Sequence, residues 1–167
     1  TIQEHKGAIN VYSEPGKGTV FHLYLPYDGE YHDPEEQELP SIERGSGCVL
    51  VVEDEEIMRS VAAHYLDDLG YEVLLARDGQ EGVELFEAHR ASIDLVFLDI
   101  VMPRLNGEEA ALAIRSIDPE VKILICSGFV HSASMNRLRE LGIKEFIKKP
   151  FNKSELSKVL SAALRSR

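Results

Sequence analysis

The fold is decided by one stretch, Leu-Val-Phe-Leu-Asp-Ile-Val-Met-Pro-Arg-Leu-Asn-Gly, at residues 95–107. Its first four residues have the length and composition of a buried strand. Met102-Pro103 and Asn106-Gly107 are typical loop and turn pairs. Asp99 therefore stands at the carboxyl end of a strand and just before a loop. Open α/β sheets bind their ligands at that end of their strands.

Three further predicted strands, two of them wholly apolar, lead into residues that can carry chemistry. Residues 49–52 lead into Glu53-Asp54, residues 123–126 into Ser127, and residues 145–148 into Lys149. If these strands are parallel, their carboxyl ends meet at one edge of one sheet. The sequence then predicts three carboxylates, a hydroxyl and an ammonium group at that edge. Oxygen ligands of this kind suit a divalent cation such as Mg²⁺, and the whole set suits a phosphoryl group.

Strand and helix patterns alternate five times from Cys48 onward. This alternation predicts an α/β fold with a doubly wound parallel sheet that is covered on both faces. Helices two and five each begin with an N-capping signature, an Asp or Asn followed three residues later by Glu. The predicted strands lie near residues 48–53, 71–76, 94–99, 121–126 and 143–148, and the predicted helices near 55–69, 79–90, 107–117, 132–141 and 153–165. The first helix carries an apolar stripe that is predicted to face the core, formed by Ile57, Val61, Tyr65, Leu66 and Leu69.

The composition excludes some classes of protein. The chain has 167 residues, 44% of them hydrophobic, and a formal net charge of -11. No apolar run reaches the length that a membrane span needs, and the first residues lack the apolar core of a signal peptide. The acidic balance argues against nucleic-acid binding by this chain. The missing initiator methionine leads us to expect a piece of a longer protein.

The first 46 residues differ from the rest. Residues 8–13 and 19–25 are rich in β-forming residues and flank a Pro-Gly turn, which predicts a β-hairpin too small to be stable alone. Residues 27–46 hold seven acidic residues and one arginine with few apolar ones. We expect this segment to be a flexible acidic linker.

With these motifs in place, residues 47–167 resemble the receiver (response-regulator) domain of two-component signalling. The matching motifs are the pair Glu53-Asp54, then Asp99 with Met102-Pro103 and Gly107 behind it, then Ser127, and finally Lys149-Pro150. The resemblance implies a flavodoxin-like fold, a five-stranded parallel sheet in the order 2-1-3-4-5 flanked by five helices. It also implies that the domain catalyses its own phosphorylation and dephosphorylation.

The resemblance implies a role for each acidic residue. Asp99 accepts the phosphoryl group, and Mg²⁺ is bound by Glu53, Asp54, Asp99 and the backbone carbonyl of Val101. Glu53 is a small departure, because Asp is also common at that position, but it keeps a carboxylate.

The resemblance also implies roles for three residues beyond the acidic cluster. Ser127 and Lys149 contact the phosphoryl oxygens, and Ser127 and Phe146 rearrange on activation, which switches a partner-binding surface. Thr is more frequent than Ser at position 127, and Phe146 has no phenolic hydroxyl. The switch is therefore expected to work through packing.

Residues 5–26 resemble the last hairpin of a histidine-kinase ATPase domain. This resemblance implies a hybrid sensor kinase, with residues 1–26 as the hairpin remnant, 27–46 as the linker and 47–167 as the receiver. The expected partner is the histidine kinase domain of the same protein or a phosphotransfer domain. The expected setting is the cytoplasm of a bacterium, with no membrane contact by this fragment. The oligomeric state stays open, a weak dimer included.

Three other functions compete with this interpretation. A phosphohydrolase of the haloacid-dehalogenase kind would carry a second Asp where this chain has Val101. A degenerate receiver that only binds partners would have lost Asp99, Lys149 or the acidic pair. A flavodoxin-like cofactor binder would need a phosphate-binding loop where Glu53 and Asp54 stand.

The remaining candidate residues are interpreted as structural rather than functional. Cys48 and Cys126 would lie at opposite ends of a parallel sheet, so we predict two core thiols without a disulfide. Gly16-Lys17-Gly18-Thr19 lacks the spacing of a P-loop and is interpreted as a hairpin turn.

Overall fold

A computed structural model of the protein describes residues 2, 4–14, 16, 18–26, 42–128 and 132–165. The chain divides into two compact units, Thr1–Leu39 and Pro40–Arg167. Within the described residues, no helix combines the length and the apolarity that a membrane crossing requires. The strands are β1 (Ala8–Glu14), β2 (Gly18–Tyr24), β3 (Cys48–Val52), β4 (Glu72–Ala76), β5 (Ile93–Asp99), β6 (Lys122–Ser127) and β7 (Glu145–Lys148). The helices are α1 (Glu56–Asp68), α2 (Gly79–His89), α3 (Gly107–Ile117), α4 (Ser132–Glu140) and α5 (Lys153–Arg165).

The first unit contains the predicted β-hairpin. β1 and β2 pair antiparallel, with Ala8 opposite Tyr24 and Glu14 opposite Gly18. Because side chains alternate along a strand, Ile9, Val11 and their cross-strand neighbours share one face. These apolar side chains are exposed within the unit. The hairpin thus presents an apolar face for burial, as expected of an element that is too small to be stable alone.

The second unit is the predicted doubly wound sheet. Five parallel strands pair in the order β4-β3-β5-β6-β7, which is the order 2-1-3-4-5 when the strands of this unit are counted alone. Helices α2, α3 and α4 pack on one face, and α1 and α5 pack on the other. The fold class and the strand order are therefore confirmed.

The interior strand β3, which lies between β4 and β5, shows why the sheet is stable. All five of its residues are buried. Leu50 contributes to the core beneath α2 and α3, which includes Phe86. Its neighbours Val49 and Val51 belong to the core beneath α1 and α5, which includes Leu66. Each such side chain contributes about 1.5–3 kcal/mol when it is fully buried.

The helix starts follow the sequence signatures. The Asp78 side chain accepts a hydrogen bond from the backbone N–H of Glu81, 2.9 Å away, at the start of α2. At the start of α5, the side chains of Asn152 and Glu155 each accept a hydrogen bond from the other residue's backbone N–H. The predicted caps are confirmed.

The prediction that Ile57 faces the core is wrong. Ile57 is 71% exposed, whereas Leu66 on the same helix and Leu69 at its C-cap are fully buried. Ile57 lies in the first turn of α1 and next to the acidic residues that follow β3. The apolar stripe therefore reaches the core only from the second turn onward.

The prediction of a flexible linker over residues 27–46 needs a correction at its end. Residues 27–41 lie outside the described residues. The backbone N–H and C=O of Glu43 both pair with the buried hydroxyl of Ser157 on α5, each at 2.9 Å. The N–H of Gly45 donates to the carbonyl of Leu69 at the end of α1. Residues 42–46 therefore contact the helices of the second unit, held by backbone hydrogen bonds. A polar composition does not predict such bonds, since every residue type can make them.

The two cysteines agree with the prediction. Cys48 opens β3, Cys126 lies near the end of β6, and both are buried free thiols. Neither is part of a disulfide.

Candidate functional site

The register of the parallel sheet brings the predicted site residues to one edge. Val52 of β3 pairs with Leu98 of β5, so Glu53 and Asp99 follow at the same level. Asp99 in turn lies beside Cys126, whose successor is Ser127 at the end of β6. Lys149 follows β7 directly, and its backbone N–H donates to the Ser127 carbonyl at 2.9 Å. The edge is the carboxyl end of the sheet.

Three carboxylates form a cluster at this edge. One oxygen each from Glu53, Asp54 and Asp99 lies within 4.8 Å of the others. Glu53 is 2% exposed and Asp99 is 6% exposed, whereas Asp54 is open to solvent. Buried carboxylates are costly unless they are paired, so the cluster needs a cation.

Lys149 supplies one cation to the two buried carboxylates. Its Nζ lies 2.6 Å from Glu53 Oε2 and 3.1 Å from Asp99 Oδ2. The peptide bond from Lys149 to Pro150 is cis. The two distances show that the predicted lysine contacts both the predicted acceptor and one member of the acidic pair.

The surroundings of the cluster raise the pKa values of both Glu53 and Lys149. Burial raises the pKa of Glu53, and the nearby charge of Asp99 raises it further, although the Lys149 hydrogen bond opposes both effects. Burial works to lower the pKa of Lys149, but the hydrogen bond to Glu53 and the Asp99 charge outweigh it and raise that pKa. The shift of Glu53 comes mainly from burial, whereas the shift of Lys149 comes from its two carboxylate partners, Glu53 and Asp99.

The donor set fits Mg²⁺. Mg²⁺ is a hard ion that takes oxygen ligands, commonly one or two carboxylates, and keeps several waters. The exposure of Asp54 leaves this side of the cluster open to water. Val101 lies two residues after Asp99 with an exposed side chain, in the loop where the family resemblance placed a carbonyl ligand.

The acceptor candidate Asp99 is held by the backbone around it. Its Oδ1 accepts the N–H of Ile100 at 2.8 Å. The chain then loops out and returns at Gly107, whose N–H donates to the Ile100 carbonyl at 3.0 Å. A Cβ on Gly107 would lie 2.0 Å from the Asp99 carbonyl oxygen. Gly107 is therefore required by the close approach of α3 to the end of β5.

Gly107→Ala should destabilise the domain by at least about 1–3 kcal/mol, because the added methyl group meets backbone atoms that cannot rotate away. Urea unfolding monitored by circular dichroism measures this loss. The matched control is Gly128→Ala, whose new Cβ meets, among the residues that the structure describes, only the Lys149 Cβ at 3.9 Å, an ordinary contact. Equal stability of the two variants would contradict the argument.

The two predicted switch residues lie on neighbouring strands. Ser127 is buried at the end of β6. Phe146 on β7 is partly buried against the core, and the guanidinium of Arg139 on α4 lies 5.8 Å from its ring centre. This distance is within the range of a cation–π contact. A rearrangement of Phe146 would therefore change its contact with α4.

Cys126 is close to the site but chemically quiet. Burial raises the pKa of its thiol to about 12. The thiol form is a poor nucleophile and a poor metal ligand, so Cys126 acts as a core residue.

The sequence analysis missed Arg59. Its guanidinium donates to the carbonyls of Glu53 at 2.7 Å and Asp54 at 3.2 Å. These contacts hold the backbone that presents both carboxylates. The available signal was a basic residue in the first turn of the helix that begins two residues after the acidic pair.

Comparison with known proteins shows which family this fold belongs to. The family described as "Response regulator receiver domain" matches residues 49–161. The chemotaxis protein CheY of Thermotoga maritima is 37% identical over 114 residues, which cover 68% of this chain and 93% of that protein. A solved structure of the chemotaxis protein CheY4 of Vibrio cholerae has 31% identity and a TM-score of 0.65, covering 72% of this chain and 100% of that one.

A longer relative matches nearly the whole chain. The sensor kinase CckA of Brucella abortus is 30% identical over 172 residues, which cover 98% of this chain. The chain spans 18% of the length of that kinase.

The chain belongs to the response regulator receiver family, the phospho-accepting domains of two-component signalling. The predicted class of protein is confirmed.

Proposed function

We propose that Asp99 accepts a phosphoryl group from a phosphohistidine, with Mg²⁺ bound by Glu53, Asp54, Asp99 and the Val101 carbonyl. The observation that carries this proposal is the oxygen cluster of the three carboxylates within 4.8 Å, contacted by the Lys149 ammonium group. A phosphoryl acceptor needs a nucleophile, a cation site and a second positive charge in one place.

An oxygen of the Asp99 carboxylate attacks the phosphorus, the P–N bond breaks, and its electron pair returns to the imidazole, which takes up a proton. The product is a mixed anhydride of Asp99 and phosphate. In the dephosphorylation step, water attacks the phosphorus and the bond from phosphorus to the Asp99 oxygen breaks. The products are the free carboxylate and inorganic phosphate.

The chain's own residues prepare this step. The Ile100 N–H and Lys149 each hold one oxygen of the Asp99 carboxylate. Lys149 would then contact a phosphoryl oxygen, and the Ser127 hydroxyl would donate to another. When bound, Mg²⁺ would supply positive charge that lowers the repulsion between the carboxylate and the phosphoryl oxygens.

Phosphorylation would be read out on the surface of α4, β7 and α5. Ser127 would move toward the phosphoryl group, and Phe146 would follow into a more buried position. The support is the contact of Phe146 with Arg139, which links the switch residue to α4. A changed α4 surface would alter the affinity for a partner.

We further propose that the receiver works within a hybrid sensor kinase. The support is the sensor kinase relative that aligns with 98% of this chain, the hairpin included. In this arrangement residues 1–26 close the ATPase domain of the kinase, residues 27–46 link it to the receiver, and residues 47–167 form the receiver. The phosphoryl donor is then the kinase domain of the same protein or a phosphotransfer domain, in the cytoplasm of a bacterium. Two buried free thiols suit such a reducing compartment.

The test is phosphorylation of the protein with a small donor. Acetyl phosphate with Mg²⁺ should add one phosphoryl group, seen by intact-mass spectrometry, and EDTA should prevent the gain. Borohydride converts an aspartyl phosphate to homoserine, so peptide mapping should find homoserine at position 99. Phosphoramidate, which has a P–N bond, serves as a second donor. A folded protein that gains nothing from either donor, or that carries the label at Asp54, would contradict the proposal.

A further inference from the structure

We propose that an ion pair between Arg104 and Asp78 positions the loop after β5, residues 100–106, and with it the Val101 carbonyl. The part that concerns the carbonyl as a metal ligand rests on the proposed function. The part that concerns the loop stands on contacts within the metal-free protein. Neither residue belongs to the motifs that define the site.

Asp78 is a buried carboxylate with two separate partners. It is 2% exposed and precedes α2. Its Oδ1 accepts the Glu81 N–H that caps the helix, and its Oδ2 lies 2.6 Å from an Nη of Arg104. A buried carboxylate needs such a cation. Asp78 thus joins the start of α2 to the loop that follows Asp99.

Arg104 adopts a backbone conformation that residues with a side chain rarely take. Its φ is +66°, in the left-handed region. Outside glycine, such a conformation persists when surrounding contacts hold it. The pairing with Asp78 is the contact that holds Arg104. The guanidinium itself is mostly exposed, so one of its faces remains hydrated.

The same two segments also pack backbone against backbone. A Cβ on Gly79, the residue after Asp78, would lie 2.3 Å from the carbonyl oxygen of Leu105. The loop therefore lies directly on the first turn of α2. At its base the loop is closed by the hydrogen bond from the Gly107 N–H to the Ile100 carbonyl. The ion pair holds the middle of a loop whose two ends are already anchored.

These contacts give Arg104 and Asp78 a positioning role. When the pair is broken, the loop can leave α2, and the bond that closes it at Gly107 opens more often. The Val101 carbonyl lies inside this loop, so it would then be held less firmly for the metal-binding role proposed above. Both the closure of the loop and the affinity for Mg²⁺ should fall.

A purely electrostatic role and a positioning role of this pair predict different changes in Mg²⁺ affinity. Through space, removal of the Arg104 charge strengthens cation binding nearby, and removal of the Asp78 charge weakens it. Loss of positioning weakens it in both cases. The direction of the change in Mg²⁺ affinity for the arginine variant therefore separates the two roles.

The experiment compares Arg104→Gly, Asp78→Asn and the double variant with wild type. Glycine accepts the left-handed backbone without a side chain, and asparagine keeps an oxygen that can cap α2. The control is Arg77→Ala, which removes a neighbouring exposed arginine that pairs with Glu81 on α2 rather than with Asp78. The first readout is amide hydrogen exchange of Gly107 in the metal-free protein, with the Val51 amide reporting global unfolding. The second is Mg²⁺ affinity from NMR titration.

Each single variant should speed exchange at Gly107 by about tenfold relative to Val51, as expected for a partly buried pair. The double variant should add little more, because the two residues act as one unit. Mg²⁺ binding should weaken in both single variants, and Arg77→Ala should match wild type. Unchanged exchange in Arg104→Gly, or Mg²⁺ affinities that shift in opposite directions, would overturn the inference. If wild type binds no Mg²⁺, the proposed function fails, while the exchange data still decide whether the pair holds the loop.

Discussion

Asp99→Asn is expected to abolish phosphorylation by acetyl phosphate. The amide oxygen of asparagine is too weak a nucleophile to form the anhydride with phosphorus. The substitution keeps an oxygen that can accept the Ile100 N–H, and it removes one of three clustered negative charges. The protein should therefore fold at least as stably as wild type. Intact-mass spectrometry should show one added phosphoryl group in wild type and none in the variant.

The control for this experiment is Asp67→Asn. Asp67 is an exposed residue of α1, so the substitution makes the same change of charge away from the cluster. It should be phosphorylated like wild type. A mass gain in Asp99→Asn that matches wild type would show that another residue accepts the group, and Asp54 would be the next candidate.

Lys149→Met is expected to slow phosphorylation by about 10²–10³-fold, the usual cost of losing one preorganised group that stabilises developing charge. Methionine keeps much of the length of the side chain but leaves Glu53 and Asp99 without their shared cation. Mg²⁺ affinity should stay level or rise, because the ammonium group competes with the metal for the same carboxylates. A stopped-flow phosphorylation rate and a Mg²⁺ titration measure the two effects separately.

The neighbouring lysine provides the matched control. Lys148 is exposed, and Lys148→Met should phosphorylate at the rate of wild type. Lys149→Arg keeps the charge on a larger group and should restore part of the rate. If Lys148→Met and Lys149→Met behave alike, the role assigned to Lys149 is wrong. Thermal unfolding of each variant separates a loss of rate from a loss of structure.

Most of the fold could be predicted from local patterns. The apolar runs, the helical spacing and the N-cap signatures are local signals, and they placed the elements of the second unit within about two residues, near the limit of boundary definition. Ile57 shows where the pattern fails. An apolar residue at helical spacing is buried only if its turn lies over the sheet, and the first turn of α1 does not place Ile57 there.

The candidate site was predictable for the same reason. Each of its residues ends a strand or lies within two residues after one, and a parallel sheet brings strand ends together. The docked segment at Glu43 was not predictable, because its contacts are backbone hydrogen bonds to Ser157 that leave no mark on composition. Its acidic, apolar-poor sequence indicates only that it adds little to a core.

The sequence by itself determined which residues stand at the carboxyl edge of the sheet and in what order. Hydrophobic period and turn residues specify strands, and the strand ends then specify the edge. Only the tertiary structure decided how those residues pair. Lys149 contacts both Glu53 and Asp99. Arg59 donates to the backbone carbonyl of Glu53, and Arg104 pairs with Asp78. Such pairings depend on loop paths and side-chain directions between residues far apart in the chain, and no local pattern encodes them.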